Sequence, residues 1–315
     1  MNLAYVIQRV LLAVLVIVGA SFMVFGVLEF VPGDPARIVL GVTASDDAVE
    51  ALRERMGLNN PWYDRYGEWL WGAVHGDFGK SLNTQQPIGP QLANRLTATL
   101  QLAGAGLVIA GLIAFPLGLI SSTRPGSKLD IGASVFSQIG ISVPDFWMGI
   151  MLVMLFSLTL GWLPPNGYTA MTDDFMDWLA HLVLPAVTAG LISAAILTRF
   201  VRSAMLEVLH MDYVRTARAK GARESTVVLR HALRTAMISI VTVAGLQLTA
   251  LLSAVVVIEI VFNWPGLGRL ALNAVLDRDY PMLQAAVVTM ATLVALINLG
   301  VDLLYFVLDP RIEYT

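Results

Sequence analysis

The sequence contains no cysteine, which excludes a disulfide framework, a thiolate metal site and a cysteine nucleophile. Charge is scarce too. Asp, Glu, Lys and Arg make up 14% of the 315 residues, against 57% hydrophobic, far from the balance of a soluble domain. The four histidines, His75, His181, His210 and His231, fall in four separate segments with no H-E-x-x-H pattern. Neither a nucleophile elbow nor paired catalytic carboxylates can be found, so no chemistry of the chain's own is visible. The net charge of −3 is uninformative beside the distribution of the charges.

Apolar length is what the chain has in abundance. Val10–Leu28, Thr97–Ser122, Ile131–Leu163, Leu182–Thr198, Ala236–Ile258 and Met282–Val301 are uncharged or nearly so, each near or above the ~20 residues that cross hydrocarbon. Only the third carries an ionisable acid, Asp145. The pattern predicts an all-α polytopic membrane protein with six transmembrane helices. A membrane barrel would show alternating segments of about ten residues instead. The first span follows a short n-region with one arginine, but its apolar run is long and no A-x-A site follows. An uncleaved signal anchor over residues 1–30 is therefore expected.

Lys and Arg counts set the orientation. With the N-terminus inside, the cytoplasmic side carries Arg9, Arg124, Lys128, Arg311 and the eight of segment 199–235, twelve in all, while the short outer loops hold only Arg269 and Arg278. The other six lie in the long segment 31–96, where the rule is weak. Both termini are expected in the cytoplasm. Residues 31–96 then form an extracytoplasmic segment with short helices, and 97–315 a five-span transmembrane domain.

In the outer segment, Asp46 and Asp47 stand where a cap would start a helix, with Val49, Leu52 and Met56 on one stripe. Asn60-Pro61 is a cap and first-turn pair opening a helix whose Trp62, Tyr63, Tyr66, Trp69 and Trp71 suit the membrane interface. The third apolar stretch is too long for one straight span, and Val143-Pro144-Asp145 interrupts it. That predicts a broken helix, or a short helix followed by a span ending near Trp162.

Segment 199–235 is the most informative. Asp212 can cap a helix over Tyr213–Lys220, and Gly221 can end it in the left-handed conformation. A second helix starting near Ser225 runs into the fifth span. The inside-charge rule needs two or three cations; here eight are interleaved with Ala217, Ala219 and Ala222, small residues that let a partner approach the backbone. Two phosphate-binding resemblances fail. Gly79-Lys80-Ser81 has Val74 where its loop needs glycine, and Gly266-x-Gly268-x-x-Ala271 follows a membrane span rather than a strand. NWPGLG is better taken as a tight outer turn, with Leu267, Leu270, Ala271 and Leu276 on one face of the next helix. Among polar groups in or near the spans, an acid at the bilayer centre costs roughly 2.5–3.5 kcal/mol, which marks Asp145 as a candidate to line a pathway. Gln138, Gln247, Ser253 and Asn298 are weaker candidates, since interhelical hydrogen bonds account for them equally well. Glu29, Glu259 and Asp302 sit at span ends.

Eight strings in order resemble one family: VPGDPA at 31–36, HGDFGKS at 75–81, SVPDFWMG at 142–149, LGWLPPNGY at 160–168, DYVRTARAKGA at 212–222, NWPGLGR at 263–269, RDYP at 278–281 and VDLLYFVLDPRI at 301–312. The chain resembles the inner-membrane permease subunits of binding-protein-dependent ABC importers, in the dipeptide/oligopeptide/nickel branch. In that resemblance DYVRTARAKG is the branch's form of the "EAA" loop, with Arg215-Thr216-Ala217 at the E-A-A positions and Gly221 the fixed glycine. Asp212 to Ala222 then form a coupling helix for a cytoplasmic ATPase, with Arg215, Arg218 and Lys220 as contacts. The family's Glu is absent, as is usual in this branch. Ser239 stands where relatives commonly have proline, which predicts a straighter entry to the fifth span, and Asp145 replaces a small hydroxyl residue.

The resemblance implies a second homologous permease, two ATP-binding cassette subunits and an extracytoplasmic solute-binding protein as partners in a bacterial cytoplasmic membrane. ATP and magnesium would bind those ATPase subunits and no cofactor this chain. The outer domain and Asn263, Trp264, Gly266 and Arg269 would face the binding protein. Short peptides are the favoured cargo, with nickel chelates, glutathione-like peptides and sugars behind. The rival readings are an ion-gradient transporter or channel, which needs acid relays across several spans and inverted repeats, and an intramembrane hydrolase, which needs a nucleophile–base pair. Nothing points to nucleic acid.

Overall fold

The computed structural model describes residues 3–30, 35–41, 44–55 and 57–308. Met56, the Val31–Asp34 part of the VPGDPA string, and Arg311 lie outside them. In chain order the helices are α1 (Leu3–Glu29), α2 (Pro35–Leu40), α3 (Asp46–Arg55), α4 (Trp62–Val74), α5 (Ile88–Thr123), α6 (Lys128–Ser142), α7 (Asp145–Leu152, continued by a π-helical turn, Val153–Thr159), α8 (Phe175–Leu209), α9 (Asp212–Ala219), α10 (Glu224–Thr226, continued by a second π turn, Val227–Ala232), α11 (Leu233–Val261), α12 (Leu267–Leu276) and α13 (Tyr280–Leu308). Five stretches are long and apolar enough to cross a membrane. These are α1, α5, α8, α10 with α11, and α13. The pair α6 and α7, bent by 108° at Val143-Pro144, makes up to six. The chain divides into two compact units, Met1–Thr99 with Pro265–Leu296, and Leu100–Trp264 with Ile297–Thr315. α12 and the start of α13 thus group with the N-terminal residues, a different grouping from the expected 97–315 block.

In the first unit α4 packs on the C-terminal half of α1. Phe22 meets Trp62 and Tyr66 edge-on, at 5.9 and 5.5 Å between ring centres. The Tyr66 hydroxyl lies 2.9 Å from that of Ser21, which is fully buried, and Arg65 grips Glu29 through two hydrogen bonds of 3.1 and 3.0 Å. The aromatic helix therefore uses Trp62 and Tyr66 to hold α1, and turns Tyr63, Trp71 and part of Trp62 outward as interfacial side chains do. Tyr66→Phe is expected to cost about 1 kcal/mol, measurable as a lower unfolding midpoint in detergent. The caps fall one residue off the expected places. Ser45 rather than Asp46 accepts from the amide of the third helical residue, Ala48, at 3.4 Å, and Pro61 rather than Asn60 precedes the first residue of α4.

The rest of this unit is built around the α12–α13 turn. Ile88, Leu92, Leu267, Leu270, Ala274 and Met282 form its buried cluster. Leu276 is exposed, so Ala274 takes the place expected for it. Asp279 is 4% exposed and caps α13 by accepting from the Met282 amide at 3.3 Å. It also accepts from the Leu82 amide at 3.2 Å and from the Ser81 hydroxyl. The GKS string thus supplies a structural anchor.

Contacts within the second unit fix the path through the membrane. Trp178 donates to Gln101 at 3.2 Å. A Cβ on Gly106 would stand 2.9 Å from that of Ala189, and one on Gly118 would collide with Val201. α5 and α8 therefore advance in step and run parallel, so the connection between them must recross the bilayer. It does so against α8 in the opposite sense: Asp130 meets Arg202, Gly140 meets Ala195, Gly149 meets Thr188 and Gly167 meets His181. From residue 202 back to residue 181 is about 30 Å of helix, a hydrocarbon thickness. The bent pair is thus one broken span, and six crossings result. α11 lies antiparallel to α8, where Gln247 donates to Ser193 at 3.3 Å, and it runs unbroken through Ser239. The end of α13 lies antiparallel to α11, with Gly245 against Val301.

Candidate functional site: the polar elbow between the fourth and fifth spans

α9, Gly221 and α10 form the elbow. Met211, not Asp212, holds the N-cap position; Asp212 starts the helix almost fully exposed and pairs with Arg215 at 3.4 Å. The helix is anchored inward by its one fully buried side chain. Val214 is fully buried among Val201, Met205 and Val208 of α8 and Val227, Val228 and Ala232 of the second π turn. Tyr213 adds a polar clasp, its hydroxyl donating to Thr235 Oγ1 at 2.9 Å and standing 3.4 Å from the His231 carbonyl.

The helix ends on the expected glycine. Gly221 has φ +77°, its amide bonds to the Arg218 carbonyl at 2.9 Å, and the Ala222 amide reaches the Ala217 carbonyl at 3.3 Å. These are the two bonds of a left-handed glycine cap. Arg218, expected to contact a partner, also braces the elbow by gripping Glu224 at 3.1 and 2.7 Å. The hydrogen-bonded carboxylate holds the Arg218 guanidinium above its usual range. Ala217 and Ala222 pack against the buried cluster, so of the three alanines only Ala219 is exposed. Arg215, Thr216, Ala219, Lys220 and Gly221 make up the outward surface.

The pathway candidates are not brought to one place. Ser253 bonds to the Thr249 carbonyl at 3.5 Å, and Thr249 donates to Asn298 at 2.6 Å, so these two candidates share the α11–α13 seam. Gln247 is buried against α8. Exposed Gln138 lines a groove between α6 and α8. Asp145, half-buried, opens α7 just past the break. Of the expected outer contacts, Trp264 is wholly buried with its ring 4.8 Å from that of Tyr168, and Gly266 is buried as the N-cap of α12. Burial removes both from a docking surface and leaves Asn263, exposed with φ +55°, and half-buried Arg269.

Six crossings, a broken third span and a braced polar elbow between spans four and five define a polytopic α-helical membrane permease. The family described as "Binding-protein-dependent transport system inner membrane component" matches residues 114–314, and its N-terminal companion matches 2–103. The chain belongs to this family; it is the inner-membrane permease component of a binding-protein-dependent ABC importer, which works with an ATPase and a binding protein. The oligopeptide transport system permease protein AppB of Bacillus subtilis is 40% identical over 314 residues, 99% of each chain. The dipeptide transport system permease protein DppB of Escherichia coli is 37% identical over 336 residues, 99% of each chain. Among solved structures, an inward-facing MetNI methionine ABC transporter matches with a TM-score of 0.58 and 22% identity, over 70% of this chain and 96% of that one. At that identity the likeness speaks for the fold.

Proposed function

We propose that the chain forms, with a second homologous permease, the translocation pathway for small peptides, with both termini in the cytoplasm. The cargo is inferred from the peptide-transport names of its relatives. Two ATP-binding subunits, holding the ATP and magnesium, drive the cycle, and this chain contributes no catalytic site. The observation that carries the mechanism is the elbow. A short helix anchored inward by Val214 and Tyr213 presents Arg215, Lys220 and the Gly221 backbone outward, so a partner gripping that face moves α8 and α11 with it. Closure of the ATPase pair then rocks the spans between outward- and inward-open states. Extracytoplasmic delivery falls to the outer segment, with Asn263 and Arg269.

The absence of cysteine makes the topology directly testable. A single cysteine at Lys220 is expected to resist an impermeant maleimide in intact cells and to react in inverted vesicles. Labelling from outside intact cells overturns the reading. Reconstituted with its partners, the chain is expected to take up dipeptide only with ATP and binding protein both present.

A further inference from the structure

A groove of about 330 Å³ opens between α6 and α8, lined by Ser134, Ser137, Gln138, Thr198, Arg199 and Arg202. Two of its hydroxyls behave unlike others in the long helices. Ser121, Ser122, Thr123, Ser142, Thr188 and Thr242 each donate to a carbonyl three or four residues back. Ser137 and Thr198, 4% and 1% exposed, have hydroxyl oxygens with no partner among the described residues. A buried hydroxyl left unpaired is costly, so both positions call for an acceptor.

The charges specify that acceptor. Asp130 holds Arg202 by bonds of 2.6 and 2.9 Å and also accepts from the Gly126 amide at 2.9 Å. Arg202 is therefore neutralised and fixed, with Nη1 uncommitted among the described residues. Arg199 is exposed over the Phe200 ring at 5.8 Å and has no carboxylate partner among them. The groove thus offers one uncompensated positive charge and several donors. It lies where the apolar run of α8 gives way, at Thr198-Arg199, which is headgroup depth. Beside it, Ile131, Val135 and Ile139 of α6 stay 58%, 51% and 55% exposed, forming an apolar strip.

We propose that this groove holds the phosphodiester headgroup of an anionic membrane phospholipid of the phosphatidylglycerol type, with its acyl chains along the strip. A phosphodiester carries a single negative charge and two non-bridging oxygens that only accept hydrogen bonds. Arg199 answers the charge, and the Ser137 and Thr198 hydroxyls answer the oxygens. A zwitterionic lipid would set its ammonium against Arg199. Free phosphate shares the acceptor chemistry but has nothing to lay on Ile131, Val135 and Ile139. The proposal goes beyond the transport reading and does not depend on it.

Native mass spectrometry of the full chain, with defined lipids added in detergent, tests this. One phosphatidylglycerol per chain should be retained in preference to phosphatidylethanolamine, and excess inorganic phosphate should not displace it. Arg199→Gln should weaken retention about fivefold, as should Ser137→Ala with Thr198→Val, while Arg124→Gln, in the exposed turn before α6, should not. Arg199 is solvent-facing, so its variant tests the site without disturbing a packed core. Equal retention of the two lipids, unchanged retention by the Arg199 variant, or displacement by phosphate would each overturn the proposal.

Discussion

Gly221→Val is expected to abolish ATP-dependent uptake in the assembled importer while leaving the chain inserted in the membrane. Beyond its own residue and its chain neighbours, no heavy atom of the described residues lies within 4 Å of where the new Cβ would sit, so collision with another element is not the cause. The cause is the backbone. At φ +77° a β-branched residue is a true outlier, and holding it there costs about 1–3 kcal/mol. The strain is relieved by unwinding the last turn of α9, which breaks the two capping bonds and draws Arg218 away from Glu224. Val214 and Tyr213 keep the first turn in place, so the fold survives while the outward face is scrambled. Asn tolerates the left-handed region, so Gly221→Asn should retain most uptake. Comparing uptake with membrane-inserted protein, in cells bearing each variant, separates the two effects. Wild-type transport by the valine variant, or equal failure of the asparagine variant, would remove the elbow from the mechanism.

The second large effect concerns the other end of the molecule. Asp279→Ala leaves the Ser81 hydroxyl and the Leu82 and Met282 amides without their acceptor in a buried setting. Unsatisfied buried donors cost about 1–3 kcal/mol each. Some relax toward water, so a net loss of about 3 kcal/mol is expected. The readouts are a lower thermal midpoint in detergent and early proteolysis between residues 77 and 87. Asp279→Asn keeps one carbonyl oxygen for the two amides and should lose less. A midpoint unchanged in Asp279→Ala would show that the turn does not depend on this carboxylate.

Features set by local chemistry were legible in the chain. The break at Val143-Pro144 follows from the restriction that proline places on its neighbour, and the stop at Gly221 from glycine's access to positive φ. Apolar length announced the spans. Cap positions were misplaced by one residue at Asp46, Asn60 and Asp212, because neighbouring residues compete for the same few orphan amides. What sequence could not convey was long-range pairing. Nothing near Ser81 announces a carboxylate at position 279, and nothing in NWPGLG reveals that Trp264 is enclosed beside Tyr168. The brace between Arg218 and Glu224 was missed although only five residues separate the two. Counting the loop only as positive charge hid its one useful acid. The two π-helical turns left no signal, since a widened turn answers to how the helix seats on its neighbours.

The second of those turns has a mechanical consequence. α10, the π turn and α11 form one helical rod, Glu224–Val261, of 38 residues, or about 57 Å. The clasp of Tyr213 on Thr235 and the burial of Val214 tie α9 to the near end of that rod. Such a member is a lever: a tilt of about 10° carries the far end through about 10 Å, given that length. That throw exceeds the width of a peptide backbone, and it ends at Phe262, which lies against Gly149 of the broken third span.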